Sequence, residues 1–246
     1  MIREKIFEWK NWKEMIHTTW NPKDPGVIRI HMIPPRFRLF RFIPSVVILN
    51  GDQILPLNES WAILLTVFIK ELNQWGDGEM TQEQGREILE NTAVKMRKIF
   101  PNVSPEKFEE DLELIAEVFE DIARGREPKV EIGQMSIGDY APYMTAPHRM
   151  DLMVSAMEKN GRWNCNQHCL HCYAAGQTYS NVQELGTADW KRVIEKCQKA
   201  RIPQLTFTGG EPTMREDLFE LLKEARWFIT RLNTNGIKLT REYCEK

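Results

Sequence analysis

The sequence is poor in cysteine, and the few it has are clustered. There are five, an odd number, and Cys165, Cys169 and Cys172 fall within eight positions. A disulfide framework would spread an even number along the chain, so it is excluded, and thiols grouped this way point to a metal or redox site. Charge of one sign is lacking too: the net charge is −2, and no run of Lys and Arg is broad enough for a nucleic-acid footprint. Long apolar runs are absent. The longest strongly apolar stretch, residues 61–69, is far short of the roughly 20 residues that cross a bilayer. The first residues are charged and aromatic rather than signal-like. The expectation is a soluble, cytoplasmic chain with neither nucleic acid nor membrane as partner.

What is present divides into two patterns. Residues 27–33 read as a strand stopped by Pro34-Pro35, and Arg36-Phe37-Arg38-Leu39-Phe40-Arg41 as a half-exposed strand. Residues 46–49 and 52–55 flank Asn50-Gly51, a pair that tolerates the positive φ of a type I′ hairpin turn. Three helices are expected next. The first is capped by Asn58, with Trp61, Leu64, Leu65, Phe68, Leu72 and Trp75 on its buried stripe. The second opens on the capping box Thr81-Gln82-Glu83-Gln84 and buries Leu89, Ala93, Met96 and Phe100. The third, with Ser104 as cap and Pro105 at its first position, buries Phe108, Leu112, Ile115, Phe119 and Ile122. Hairpin and helices form an expected domain of residues 1–128, small, mostly helical and α+β.

Residues 129–147 read as a polar connector, and residues 148–246 as a second domain. Its strands are expected at 151–157, 204–208 and 227–232. Between them lie a helix capped by Thr187, with Trp190, Val193, Ile194 and Cys197 on one face, and another carrying Leu218, Leu221, Leu222 and Ala225. Strand–helix alternation of this kind makes an α/β fold with a parallel sheet, whose function collects at the C-terminal strand ends.

Three candidate motifs lie at those ends. In Cys165-Asn166-Gln167-His168-Cys169-Leu170-His171-Cys172, thiolates spaced by three and two residues can wrap one loop around three corners of an iron–sulfur cube. A local fourth cysteine is missing, which leaves one iron open. The second motif is Thr208-Gly209-Gly210-Glu211-Pro212, where glycines permit close approach to the backbone and Glu211 offers a carboxylate to an ammonium group. The third is Asn233-Thr234-Asn235-Gly236. A Cys3His zinc site using His168 or His171 is an alternative, although it leaves the Gly-Gly-Glu turn unexplained. So is a closed electron-transfer cluster with Cys197 or Cys244 as fourth ligand. Cys197, however, lies on an apolar helix stripe and reads as a buried core thiol, and Cys244 has no supporting pattern. His168 reads as a polar loop residue, and Trp163 and Tyr173 as packing residues.

The Cx3Cx2C loop after one strand and the GGE turn after the next resemble the radical S-adenosylmethionine (SAM) superfamily. The resemblance implies that residues 148–246 are the first three β/α units of a partial (β/α)6 TIM-like barrel. It implies a 4Fe-4S cluster on Cys165, Cys169 and Cys172, with SAM on the open iron and its methionine end held by Gly209, Gly210 and Glu211. Thr234 resembles a further SAM-contacting position, Asn233 its neighbour, and His171 the residue whose backbone meets the adenine. The implied chemistry is one-electron cleavage of the sulfonium bond, with a 5′-deoxyadenosyl radical abstracting a substrate hydrogen. An electron donor of flavodoxin or ferredoxin type is implied as partner.

The pattern departs from the family after the third strand, where the later barrel strands and their SAM contacts have no counterpart. The expectation is a truncated product or one part of a split enzyme, binding a cluster but SAM poorly. The hairpin followed by Leu57-Asn58-Glu59-Ser60-Trp61-Ala62-Ile63-Leu64 resembles the winged-helix peptide-recognition domain fused to maturases of ribosomally made peptides. There a leader peptide adds as a strand beside the sheet. That implies a peptide or protein substrate; a domain that only caps the barrel is the alternative. A cluster-carrying or peptide-binding partner without its own turnover is the competing function.

Overall fold

The computed structural model describes residues 2–11, 16–20, 28–33, 37–38, 41–42, 45–75, 80–144, 146–155, 164–173 and 183–246. The fold is mixed α/β, in two compact units, Met1–Met144 and Thr145–Lys246. Trp163, Pro34, Pro35, Arg36, Leu39 and Phe40 lie outside the described residues.

In the first unit, helix α1 (Ile2–Asn11) and strand β1 (Ile16–Trp20) precede β2 (Ile28–Ile33). Neither α1 nor β1 was legible in the sequence. The single-strand expectation for residues 36–41 is corrected: β3 (Phe37–Arg38) pairs antiparallel with β4 (Arg41–Phe42), with Phe37 opposite Phe42 and Arg38 opposite Arg41. Strands β5 (Ser45–Leu49) and β6 (Gln53–Leu57) form the expected hairpin. Asn50 and Gly51 both take positive φ, 50° and 73°, and the Asp52 N–H closes the turn on the Leu49 carbonyl at 3.0 Å. The sheet runs β1-β2-β5-β6, antiparallel throughout.

Helices α2 (Glu59–Leu72), α3 (Gln82–Ile99) and α4 (Pro105–Ala123) carry the caps read from sequence: Asn58, the Thr81/Gln84 capping box, and Ser104 followed by Pro105. All five apolar residues expected on α4 are buried. The expected stripe on α2 needs correction. Ala62, Ile63, Leu64, Leu65, Val67 and Ile69 are its buried apolar residues, Trp61, Phe68 and Leu72 are only half-buried, and Trp75 is exposed beyond the helix end. A helix pressed between a sheet and two other helices is apolar nearly all round, so a one-stripe reading picks the wrong edge. On α3, Ile88 and Thr92 are buried beside Ala93 and Met96, while Leu89 and Phe100 are half-buried. Within residues 129–147, Met135 pairs with Ile54, and α5 (Ile137–Tyr140) buries Tyr140 against Ile33, Val46, Ile48 and Ile54.

The second unit is a parallel sheet of β7 (Arg149–Ser155), β8 (Gln204–Gly209) and β9 (Ile229–Leu232), in that order. Helices α6 (Thr187–Lys199) and α7 (Leu218–Glu224) cover one face, where Trp190, Ile194, Cys197, Leu218 and Leu221 pack with Leu152, Val154, Leu205 and Phe207. A short α8 (Arg241–Cys244) follows. Trp227 lies in a 3-10 turn rather than at the start of β9. Since the strands are parallel, their C-terminal ends meet at one edge, and that is where the motifs fall.

Thr187 is not a cap, as the sequence suggested; Gly186 occupies that position, and the Thr187 hydroxyl instead donates to Asp217 at 2.6 Å. It joins a clasp around Arg215, whose guanidinium grips both Asp217 oxygens, at 2.8 and 2.7 Å, and donates to the Val154 carbonyl at 2.7 Å and the Leu185 carbonyl at 3.3 Å. One side chain thereby ties the end of β7, the entry to α6 and the entry to α7. The Arg215 guanidinium holds the Asp217 carboxyl below its ordinary range, aided by Thr187 and opposed by burial. A carboxyl depressed in the folded state adds stability above its unfolded pKa, and that stability is lost as pH falls through the folded value. Asp217→Asn is therefore expected to cost about 1.5–3 kcal/mol at neutral pH, the range for hydrogen bonds to charged groups. Melting of the full chain against pH should show the gap between variant and wild type closing in acid.

Candidate functional site

The close approach of two strand ends builds the site. Gly209 ends β8 with φ +135°, and a Cβ there would lie 2.7 Å from Ser155 Oγ and 2.8 Å from Ser155 N. Only glycine fits a contact this tight. The neighbouring Gly210 N–H donates to the Ser155 carbonyl at 3.0 Å, and the Glu211 N–H to the Asn164 carbonyl at 2.9 Å. The turn after β8 is thus fastened to the end of β7 and to the residue preceding Cys165.

Glu211 is buried, with 1% of its surface exposed. Its Oε1 accepts from the Thr213 N–H at 3.0 Å, the Thr213 hydroxyl at 2.6 Å and the Thr234 hydroxyl at 2.6 Å; its Oε2 accepts from the Asn235 N–H at 2.7 Å. Burial by itself pushes this carboxyl up, but the Asn235, Thr213 and Thr234 donors together outweigh it, and the net shift is downward. All four of these donors are neutral, so the buried site keeps a full negative charge. That suits a cationic group presented to Oε2, which has acceptor capacity left.

Asn235 carries the arrangement to the cysteine loop. Its Nδ2 donates to Asn166 Oδ1 at 2.7 Å and lies 3.9 Å from Cys165 Sγ, and its Oδ1 accepts the Ile237 N–H at 3.1 Å. Cys165 Sγ also accepts the Gln167 N–H at 3.5 Å, whereas the Cys169 thiol donates to Gln167 Oε1 at 3.3 Å. The Cys172 N–H donates to the Cys169 carbonyl at 3.1 Å.

Of the residues singled out in the sequence, the structure brings together Gly209, Gly210, Glu211, Thr234 and, through Asn235, Cys165. Asn233 is exposed and gives its backbone N–H to the Phe207 carbonyl at 2.9 Å; His171 and His168 are exposed loop residues. Tyr173 is 71% exposed, which corrects its reading as a packing residue. Cys197 is in the core as expected, its thiol pushed up by burial, and Cys244 is exposed on α8. The sequence motifs contain Asn235 and Asn166 but gave them no role, and Thr213 and Ser155 were missed. Asn235 had a local signal, an Asn before Gly whose side chain closes an Asx-type turn on Ile237. Ser155 had none, since only strand pairing sets it against Gly209.

Among the described residues, no three His, Cys, Asp or Glu side chains are gathered into a metal-binding group. The donor chemistry nonetheless fits an iron–sulfur cluster. Cys165, Cys169 and Cys172 are free thiols on one loop, each half-buried or exposed, and soft thiolates are the ligands such clusters take.

Residues 164–246 match the Radical SAM superfamily. Similar proteins include the Fe-coproporphyrin III synthase of Methanosarcina barkeri, 40% identical over 90 residues, which are 34% of this chain and 23% of that protein. The 7,8-dihydro-6-hydroxymethylpterin dimethyltransferase of Methanocaldococcus jannaschii is 34% identical over 119 residues, 45% of this chain and 23% of that protein. The PqqA peptide cyclase of Bradyrhizobium diazoefficiens is 38% identical over 80 residues, 32% of this chain and 21% of that protein. The chain thus spans less than a quarter of the length of these relatives. The matching residues, 164–246, hold all of the site described above except Ser155.

Proposed function

We propose that the chain is a radical SAM enzyme that carries a 4Fe-4S cluster on Cys165, Cys169 and Cys172 and cleaves SAM reductively to modify a ribosomally made peptide or protein. The observation that carries this is Glu211: a buried carboxylate, kept ionised by neutral donors, and joined through Asn235 to the loop bearing Cys165. When bound, the cluster supplies one electron to the carbon–sulfur bond of SAM.

The chain's own residues bind and orient. Gly209 and Gly210 leave room beside the backbone for the methionine end of SAM, and Glu211 attracts its ammonium group. Thr234 steadies the carboxylate that does so, and Asn233 and His171 border the remainder of the cofactor. Strands β7 to β9 with α6 and α7 are, on this reading, the first three units of a partial (β/α)6 barrel.

The first unit is read as a winged-helix-like recognition domain to which an extended leader peptide adds beside a sheet edge. Edge strand β1 supports this, since β6, at the other edge, is already met by Met135. The similarity to a PqqA peptide cyclase supports a peptide substrate. A flavodoxin- or ferredoxin-type electron donor and a cytoplasmic location complete the proposal.

Anaerobic reconstitution of the full chain tests it. About four irons per chain are expected, together with reductant-dependent formation of 5′-deoxyadenosine and methionine when SAM is supplied in large excess to offset its weak binding. Alanine at any of the three cysteines should abolish both. A cluster without SAM cleavage would instead mark a cluster-carrying partner lacking turnover. Glu211→Gln is expected to weaken SAM binding by roughly tenfold or more, the worth of a charge-assisted hydrogen bond, with the cluster retained. Because the Glu211 carboxyl is held low, this difference should persist as the pH of a binding titration falls to about 5, near the ordinary carboxylate range.

A further inference from the structure

We propose that Asn235 is a positioning residue that sets the reduction potential of the cluster, by donating a hydrogen bond to the sulfur of Cys165. This rests on the cluster assignment above and adds a residue that sequence reasoning did not single out. Three observations carry it. The Asn235 amide cannot turn over freely, because Oδ1 accepts the Ile237 N–H at 3.1 Å and the backbone N–H is held by Glu211 Oε2 at 2.7 Å. Its Nδ2 has two hydrogens; with one satisfied by Asn166 Oδ1 at 2.7 Å, the other is available to Cys165 Sγ at 3.9 Å. Among the described contacts, Cys165 is also the cysteine whose sulfur accepts N–H donors. Its sulfur accepts the Gln167 N–H as well, while the Cys169 thiol acts as a donor.

A ligating sulfur that accepts N–H donors better tolerates the negative charge a cluster gains on reduction, so the potential rises. The same residue touches the Glu211 carboxylate through its backbone. Cluster loop and cofactor turn are therefore held in one register by a single residue, its backbone on one and its side chain on the other.

The test uses the full chain, reconstituted anaerobically and titrated by electron paramagnetic resonance against mediators that supply the one electron. Asn235→Ala removes the Nδ2 donor but keeps the backbone N–H to Glu211. At the potential where wild type is half reduced, it is expected to shift the cluster at least threefold toward the oxidised form. Asn235→Asp, which puts a negative oxygen where the donor was, is expected to shift it tenfold or more in the same direction, with iron content unchanged in both. Midpoints equal to wild type with intact clusters would overturn the tuning role and leave the cluster assignment standing, as would loss of iron from the alanine variant, which would mark an assembly role instead. A wild-type chain that assembles no cluster would overturn both.

Discussion

Everything at the C-terminal strand ends is arranged around one buried negative charge. Removing a carboxylate from water is costly unless hydrogen bonds replace the lost solvation, and Glu211 receives four of them. Their sources matter as much as their number. Two come from Thr213, in the turn that Glu211 itself opens, and two from Thr234 and Asn235, beyond the next strand. Satisfying this one group therefore fixes the loop after β9 against the loop after β8. Asn235 then extends the hold to the cysteine loop.

Such convergence is possible only because the supporting backbone is tightly set. Gly209 sits where a side chain would collide with Ser155, so the ends of β7 and β8 approach more closely than ordinary residues allow. Arg215 secures the same end of β7 by gathering Val154, Leu185 and Asp217. Within this frame a charge can be positioned for a cationic ligand at little reorganisation cost, which is the advantage of electrostatic preorganisation.

The first unit follows different rules. Its stability comes from an antiparallel sheet with α2, α3 and α4 against it, each helix opened by a side-chain cap. The buried Glu71 on α2 is paired with Lys95 on α3, an ion pair that fixes how those two helices sit together.

Much of this was written in local sequence. Caps at Asn58, Thr81 and Ser104, the Asn50-Gly51 turn, the α4 stripe and the strand–helix alternation after residue 148 all depend on neighbours a few positions apart, and short-range physics suffices to read them. The three cysteines and the Gly-Gly-Glu turn were legible for the same reason. The rest needed the folded chain. The buried edge of α2 depends on how many elements surround it, and Thr187 turned from a cap into a partner of Asp217 because residues thirty positions apart met. The state of Glu211 could not be read from Gly-Gly-Glu alone: two of its donors come from across a strand, and whether a carboxylate is buried yet ionised is decided by the groups that tertiary structure brings to it.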